Sequence, residues 1–147
     1  LVLFGVLDHL PAEHASRAVP GDLDVLLVGR SPALAHHPGQ VAFPGGRVDD
    51  DDPSPEAAAV REAVEETGLD PTGVEVLGSL ATVPVPVSRH LVTPVLAWWH
   101  EPSAVGVVDR GESAHVFRTP VADLVDPAQR RTVVVEVAGG PASSATV

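Results

Sequence analysis

Residues 45–69, GGRVDDDDPSPEAAAVREAVEETGL, carry the signals of a helix with defined ends. Ser54 is a good N-cap and Pro55 suits the first helical position. Gly68 is placed to end the helix in the left-handed conformation. These signals predict a helix over Pro55–Thr67, about three and a half turns long. The rest of the chain is expected to hold this helix and the glycine pair before it in place.

The predicted helix carries three carboxylates close together. At about 100° per residue, Glu62, Glu65 and Glu66 fall within roughly one third of its circumference. Carboxylates this close repel each other, and a hard divalent cation such as Mg²⁺ or Mn²⁺ relieves the repulsion. A solvated acidic face with an Arg61–Glu65 ion pair is the alternative. Apolar residues on the other side are expected to face a core: Ala57, Val60, Ala63 and Val64.

The second half of this stretch resembles a known signature. Residues 61–69, REAVEETGL, match the end of the Nudix box, GX5EX7REUXEEXGU, in which U is an aliphatic residue. Arg61 stands at the arginine position, and Glu62, Glu65 and Glu66 stand at the three glutamates. On these residues the chain resembles the Nudix hydrolases.

The first half of the box departs from that pattern. The span from Gly46 to Arg61 is one residue longer, and Pro53 stands where the first glutamate is expected, with Asp52 as its nearest substitute. The acidic run that ends at Asp52 lacks the third ligand and the glycine of an EF-hand calcium loop. We interpret the run as a solvated acidic turn, with Asp52 as an outer metal ligand in the alternative interpretation.

The resemblance implies a Nudix fold, a mixed β-sheet sandwiched between α-helices (α/β/α). At 147 residues the chain is expected to form one domain over residues 1–147. The family also implies hydrolysis of a nucleoside diphosphate linked to another moiety. Divalent cations would lower the barrier of that reaction by neutralising phosphate oxygens and by orienting and deprotonating water.

Roles for individual residues follow from the same resemblance. Arg61 would orient a box glutamate, and the general base is either Glu65 or Glu112. Glu112 resembles a glutamate that the family places on a loop remote from the box, although it is equally interpreted as an exposed loop acid. The implied metal ligands are the box glutamates and one backbone carbonyl: Glu62, Glu65, Glu66 and Gly45.

A second segment resembles one subfamily in particular. Residues 26–46, LLVGRSPALAHHPGQVAFPGG, are similar to the pattern LLTxRSxxLRxHxGQVxFPGG of coenzyme A pyrophosphatases. Val28 replaces the usual threonine, and Ala35 replaces an arginine that would favour phosphates. The subfamily implies the products 4′-phosphopantetheine and adenosine 3′,5′-bisphosphate. The residues that we expect to bind substrate are Arg30, His37, Gln40, Phe43 and, further along the chain, Arg89.

Other interpretations remain open at this stage. A Nudix enzyme for ADP-ribose, NADH, a dinucleotide or a nucleoside triphosphate would keep the box without needing the second segment. A noncatalytic nucleotide-sensing module usually has a broken REUXEE, which is intact here. Arg30 could be a polar strand cap, and residues 31–40 a proline-rich surface loop. Trp98 and Trp99 are expected at the core and its rim rather than as a base-stacking platform.

Composition restricts the partners. The formal net charge is −11, and all nine basic residues are arginine. That balance argues against binding to a nucleic-acid backbone, and the absence of lysine excludes a Walker A loop. Cysteine is absent, which fits a reducing cytoplasm, and no apolar run reaches the roughly 20 residues that span a bilayer. We expect a cytoplasmic protein with a small nucleotide substrate and leave open a homodimer.

Hydrophobic patterning predicts the remaining elements. Strands are predicted over residues 1–7, 24–30, 41–43, 74–80 and 91–99, around GESAHVF within 105–119, and over 130–137. Loops are predicted over residues 8–22, 31–40 and 81–87, and a short helical turn over Val121–Leu124. Pro94 indicates an edge position or a bulge in its strand.

Overall fold

The computed structural model describes residues 1–6, 19–33, 39–85, 90–129, 132–135 and 143–146. In chain order the strands are β1 Val2–Val6, β2 Leu23–Arg30, β3 Val41–Ala42, β4 Val74–Ser79, β5 Val83–Val85, β6 His90–Val92, β7 Val95–Trp99, β8 Ser113–Pro120, β9 Thr132–Val135 and β10 Ser143–Thr146. The α-helices are α1 Pro55–Thr67 and α2 Val121–Leu124, and short 3₁₀ turns cover Pro71–Gly73 and Pro127–Gln129.

The main sheet is built around β2. Along one edge, β2 pairs with β8 from Asp24 to Arg30. Along its other edge, β2 pairs with β1 near its start and with β3 near its end. The sheet continues from β1 through β7 to β4. Among the described strands only β1 and β7 pair in parallel, so the sheet is mixed, as predicted. β2 is buried along almost its whole length, because its apolar run is covered on both faces.

Helix α1 begins and ends where the sequence predicts. Ser54 is extended, and its side-chain oxygen accepts from the Ala57 N–H at 3.2 Å. Gly68 has φ 68°, and its N–H donates to the Val64 carbonyl at 2.8 Å. The inward side of the helix carries Ala63, which is fully buried, with Val60 and Val64 packed against the core. Both ends are therefore satisfied by local residues.

The core lies between α1 and the sheet and is mostly aliphatic. Trp99 is buried within it and Trp98 is half-buried, which confirms their placement at core and rim. The buried cluster consists of Leu1, Leu3, Leu26, Ala63, Leu69, Val95, Ala97 and Trp99. Of the described helices, none is long and apolar enough to cross a membrane.

The prediction of one strand over residues 91–99 is wrong. The segment divides at Pro94, which has no N–H for a strand ladder and whose carbonyl instead accepts from the Leu80 N–H at 2.8 Å. β7 then lies inside the main sheet between β1 and β4, whereas β6 pairs with β5. Because residues 81–87 contain β5, their prediction as a loop is wrong in part as well.

Candidate active site

A cleft of about 490 Å³ opens at the end of β2. Four segments that are distant in sequence contribute to it: β2, the glycine loop before α1, α1 itself, and the start of β8. The lining residues are Val28, Arg30, Gly45, Gly46, Arg47, Glu62, Glu66, Glu112 and Ser113. The fold therefore brings three glutamates and two arginines to one cleft.

Glu66 lines the cleft and is held there by a backbone hydrogen bond. Its carboxylate accepts from the Gly45 N–H at 2.9 Å. The pKa of Glu66 is raised, mainly because its carboxylate is buried and also because the charges of Glu62 and Glu112 lie nearby. The hydrogen bond from Gly45 and the positive charge of Arg30 lower the pKa of Glu66, but they offset only part of that rise. A cation that enters the cleft would therefore stabilise the ionised form of this carboxylate.

Glu62 lies so close to the glycine loop that a side chain at Gly46 would displace its carboxylate. A Cβ on Gly46 would overlap the carboxylate of Glu62. Gly45 has φ 152°, in the region that favours glycine. The glycine pair thus brings the backbone close to two box glutamates. Gly46 packs against Glu62, and the Gly45 N–H donates a hydrogen bond to Glu66.

Arg61 joins the acidic loop to α1. Its Nε and Nη2 donate to the two oxygens of Asp52 at 3.1 and 2.9 Å, in a side-on arrangement, and the Asp52 side chain is only 7% exposed. Nη2 also donates to the Arg47 carbonyl at 3.0 Å. These hydrogen bonds between Arg61 and Asp52 hold the pKa of Asp52 below its ordinary value. They also hold the pKa of Arg61 above the ordinary value for arginine. Asp52 thus pairs with Arg61 and lies outside the cleft lining.

The same guanidinium contacts two of the helix carboxylates. Its Nη1 donates to Glu62 at 3.2 Å and to Glu65 at 3.3 Å. Glu62 reaches the cleft, whereas Glu65 is 59% exposed and does not line it. Of the three box carboxylates, Glu62 and Glu66 thus line the cleft and Glu65 does not, and the third glutamate of the lining is Glu112, from the loop before β8.

The donors in the cleft suit a divalent cation by their chemistry. Carboxylates and a backbone carbonyl are the oxygen ligands that Mg²⁺ and Mn²⁺ prefer. Within the described residues, no three acidic or histidine side chains already lie close enough to hold one ion. Glu62 and Glu66 are instead engaged with Arg61 and Gly45, so binding would require these side chains to turn inward.

The predicted substrate-binding residues are placed unequally. Arg30 lines the cleft, and its Nε is buried without a hydrogen-bond partner among the described residues. Gln40 supports the same strand end, because its carbonyl accepts from the Arg30 N–H at 2.8 Å. Phe43 is exposed and outside the cleft lining. His37 and Arg89 lie outside the described residues.

Arg47 is a cleft residue that the sequence analysis missed. It follows the glycine pair directly and lines the same cleft as Arg30. Its position immediately after the glycine pair of the Nudix box was the available signal. Buried Ser113 and Val28 complete the wall and carried no such signal.

Comparison of the sequence with protein-family models identifies the family of the chain. The NUDIX domain model matches residues 15–134, most of the chain. The chain belongs to the Nudix family. The predicted Nudix fold, with its mixed sheet and few helices, is confirmed.

Individual relatives agree with the family. The chain is 45% identical over 109 residues to the "Uncharacterized Nudix hydrolase NudL" of Escherichia coli K12, a match that covers 74% of this chain and 54% of that protein. The chain thus spans about half the length of this curated relative. The Nudix hydrolase RenU of M. smegmatis has a TM-score of 0.64 at 27% identity, over 85% of this chain and 70% of that one. The NUDIX domain of Shewanella oneidensis NrtR, in complex with ADP ribose, has a TM-score of 0.57 at 25% identity, over 84% and 71% of the two chains.

Proposed function

We propose that this chain hydrolyses the diphosphate bond of a nucleoside diphosphate derivative, with coenzyme A or its thioesters as substrate and Mg²⁺ or Mn²⁺ as cofactor. The products would be 4′-phosphopantetheine and adenosine 3′,5′-bisphosphate. The observation that carries the proposal is the meeting of Glu62, Glu66 and Glu112 in one cleft with Arg30.

The carboxylates account for the cofactor. Nudix hydrolases in general use divalent metal ions such as Mg²⁺ or Mn²⁺. Glu62 and Glu66, with the Gly45 carbonyl, would hold the ion in this chain. When bound, it neutralises phosphate oxygens and lowers the pKa of a coordinated water. The repulsion among these carboxylates supports the assignment, because a cation would remove it.

Arg30 would bind the diphosphate. Its Nε is desolvated and lacks a partner among the described residues, and leaving a buried donor unsatisfied is costly. A guanidinium group donates two parallel hydrogen bonds to phosphate oxygens. A substrate phosphate at the end of β2 would satisfy the donor and place the scissile bond beside the carboxylates.

Glu112 is the general base that the geometry favours. It lines the cleft, whereas the carboxylate of Glu65 is shared with Arg61 outside the cleft. A base must come within hydrogen-bond reach of the water that it deprotonates. Arg61 acts as a positioning residue in this scheme, since its hydrogen bonds to Asp52 fix the guanidinium that contacts Glu62.

The segment over residues 26–46 supports coenzyme A in particular. Four of its residues line the cleft, Val28, Arg30, Gly45 and Gly46, so both ends of the part that resembles coenzyme A pyrophosphatases reach the proposed reaction site. ADP-ribose is the second candidate. The NrtR domain, whose structure is similar, is in complex with that ligand.

Product analysis tests the proposal. Coenzyme A, acetyl-coenzyme A, ADP-ribose and NADH would each be incubated with the chain and Mg²⁺ or Mn²⁺, and the products separated by chromatography. A Glu66→Gln variant removes a cleft carboxylate, and the matched Glu65→Gln variant removes one outside it. We expect bisphosphate from coenzyme A, lost with Glu66→Gln and largely retained with Glu65→Gln.

The other outcomes are distinct. Turnover of ADP-ribose or NADH alone would keep the cleft chemistry and overturn the choice of coenzyme A. Turnover of no substrate, with nucleotide still bound in calorimetry, would contradict hydrolysis and indicate a nucleotide-sensing module. Equal activity of Glu66→Gln and the parent chain would contradict the role of the carboxylates.

A further inference from the structure

The loop between β7 and β8, residues 100–112, ends at Glu112 and is hydrogen-bonded to the end of helix α1. The Gly106 N–H donates to the carbonyl of Thr67, the last residue of the helix, at 2.9 Å. Thr67 is itself buried, and its hydroxyl donates to the Ala63 carbonyl at 2.6 Å. The loop that brings Glu112 to the cleft is therefore connected to the helix that carries the box glutamates.

The last turn of this loop is organised by Asp109. Its Oδ1 accepts from the Gly111 N–H at 2.7 Å. Its carbonyl accepts from the Glu112 N–H at 3.2 Å and from the Ser113 N–H at 2.9 Å. A side-chain oxygen that bonds to the backbone two residues further on is the reason that aspartate and asparagine favour turns. Three consecutive N–H groups thus point to oxygens of one residue.

The backbone of Glu112 is held on both sides. Its N–H donates to Asp109, and its carbonyl accepts from the N–H of Ser31, the first residue after β2, at 2.8 Å. A general base must stay within hydrogen-bond reach of the water that it deprotonates. Because Glu112 lies on a loop rather than within a helix or strand, these two backbone hydrogen bonds set where its side chain starts.

A β-bulge follows immediately at the start of β8. Gly29 pairs with His115 and Arg30 with Ser113, which leaves Ala114 as an extra residue in β8. Bulges of this kind redirect side chains and are common beside active sites. Here the bulge brings Ser113 opposite Arg30, and both residues line the cleft. The turn at Asp109 and the bulge therefore determine together how the chain enters the cleft.

We propose that Asp109 is a positioning residue for the reaction, which holds the turn that directs the Glu112 carboxylate into the cleft. The inference rests on the proposed function, in which Glu112 is the general base. Asp109 does not line the cleft and acts through the backbone of Glu112. A misplacement of about 1 Å can cost up to about a hundredfold in rate. Asp109 is exposed, so its replacement leaves the core intact.

The chain offers a matched control for Asp109. Asp126 forms a turn of the same kind outside the cleft lining: its Oδ1 accepts from the Ala128 N–H at 2.9 Å and its carbonyl from the Gln129 N–H at 3.0 Å. Asp109→Ala and Asp126→Ala each remove one such side-chain acceptor. Asp109→Asn removes the charge but keeps an acceptor oxygen in the same place.

Steady-state kinetics with Mg²⁺ and the substrate that the parent chain turns over fastest test the proposal. We expect Asp109→Ala to lower kcat by about tenfold with little change in KM, because the base is displaced while the substrate still binds. Asp109→Asn should recover most of that loss, and Asp126→Ala should stay close to the parent. In a Glu112→Gln background, Asp109→Ala should change kcat by no more than about twofold, because the group that it positions is already gone.

Amide hydrogen exchange, followed by NMR without substrate, gives a readout that does not depend on activity. Exchange at Gly111, Glu112 and Ser113 should be about fivefold or more faster in Asp109→Ala than in the parent, and close to the parent in Asp109→Asn. Exchange that Asp109→Ala leaves unchanged at these three residues would overturn the inference, whatever the substrate.

The kinetic outcomes separate this inference from the proposed function. An active parent with an equally active Asp109→Ala variant would overturn the inference and leave the proposed function standing. So would a loss in kcat that is just as large in the Glu112→Gln background, because Asp109 would then act on another group. A Glu112→Gln variant as active as the parent would instead overturn the general base of the proposed function, and the positioning role with it.

Discussion

Arg61 shows how single residues determine which carboxylates are available in the cleft. Its Nε and Nη2 are occupied by Asp52, which leaves Nη1 for the carboxylates of α1. The match to the Nudix box predicted a guanidinium that orients a box glutamate. The Arg61–Glu65 ion pair is an i,i+4 contact that helix periodicity indicates, whereas Asp52 reaches Arg61 from a loop, and helix periodicity alone could not show that contact.

Replacing Gly46 by alanine should impair the cleft without unfolding the chain. The added Cβ would overlap the Glu62 carboxylate, which would have to move. We expect kcat/KM to fall by about tenfold or more, with a small change in melting temperature. Gly106→Ala is the control, because a Cβ there meets no atom within 4 Å. Equal effects of the two substitutions on kcat/KM would contradict the close approach.

Asp52 should contribute stability that depends on pH. Arg61 holds its pKa below the ordinary value of 3.8, so the folded state favours the ionised carboxylate. That contribution is present at neutral pH and is lost as pH falls below about 3.8, through the pKa of the folded state. We expect Asp52→Asn to lower the melting temperature at neutral pH, and the difference from the parent to shrink in acid.

The control for this pH dependence is a neighbouring acid. Asp51→Asn removes an exposed carboxylate from the same loop. Its melting temperature should follow that of the parent chain at every pH. A deficit of Asp52→Asn that stays constant into acid would indicate a cause other than the ion pair.

At the scale of elements, helix α1 is the best-predicted part of the fold. Its caps are local, because Ser54, Pro55 and Gly68 lie within or beside the helix. The division of residues 91–99 was missed for the opposite reason. β7 pairs with β1 and β4, whereas β6 pairs with β5. These pairings depend on contacts between distant parts of the chain, and a proline alone did not indicate whether the strand bends or ends.

The caps of α1 should have measurable energies. We expect Ser54→Ala to reduce the free energy of unfolding by about 1 kcal/mol, because the Ala57 N–H loses its acceptor. Gly68→Ala should cost about 1 kcal/mol, because alanine is strained at φ 68°. Denaturant unfolding measures both. A Gly68→Ala variant as stable as the parent would contradict the left-handed end of the helix.

For the molecule as a whole, charge and site are connected. A chain that brings three carboxylates into one cleft should be stabilised by divalent cations, because a ligand that binds only the folded state raises its stability. We expect Mg²⁺ to raise the melting temperature of the parent and of Glu65→Gln, and a chelator to reverse the rise. An equal rise for Glu66→Gln would indicate cation binding away from the cleft.

The sequence supplied the family, the helix and most of the cleft, but not the geometry that separates Glu65 from Glu112. One pair of variants tests that geometry most directly. The initial rates of Glu112→Gln and Glu65→Gln would be measured on the preferred substrate at saturating Mg²⁺. We predict that Glu112→Gln loses about a hundredfold or more in kcat, while Glu65→Gln stays within about tenfold of the parent. The reverse order would contradict the assignment of Glu112 as the third carboxylate of the site.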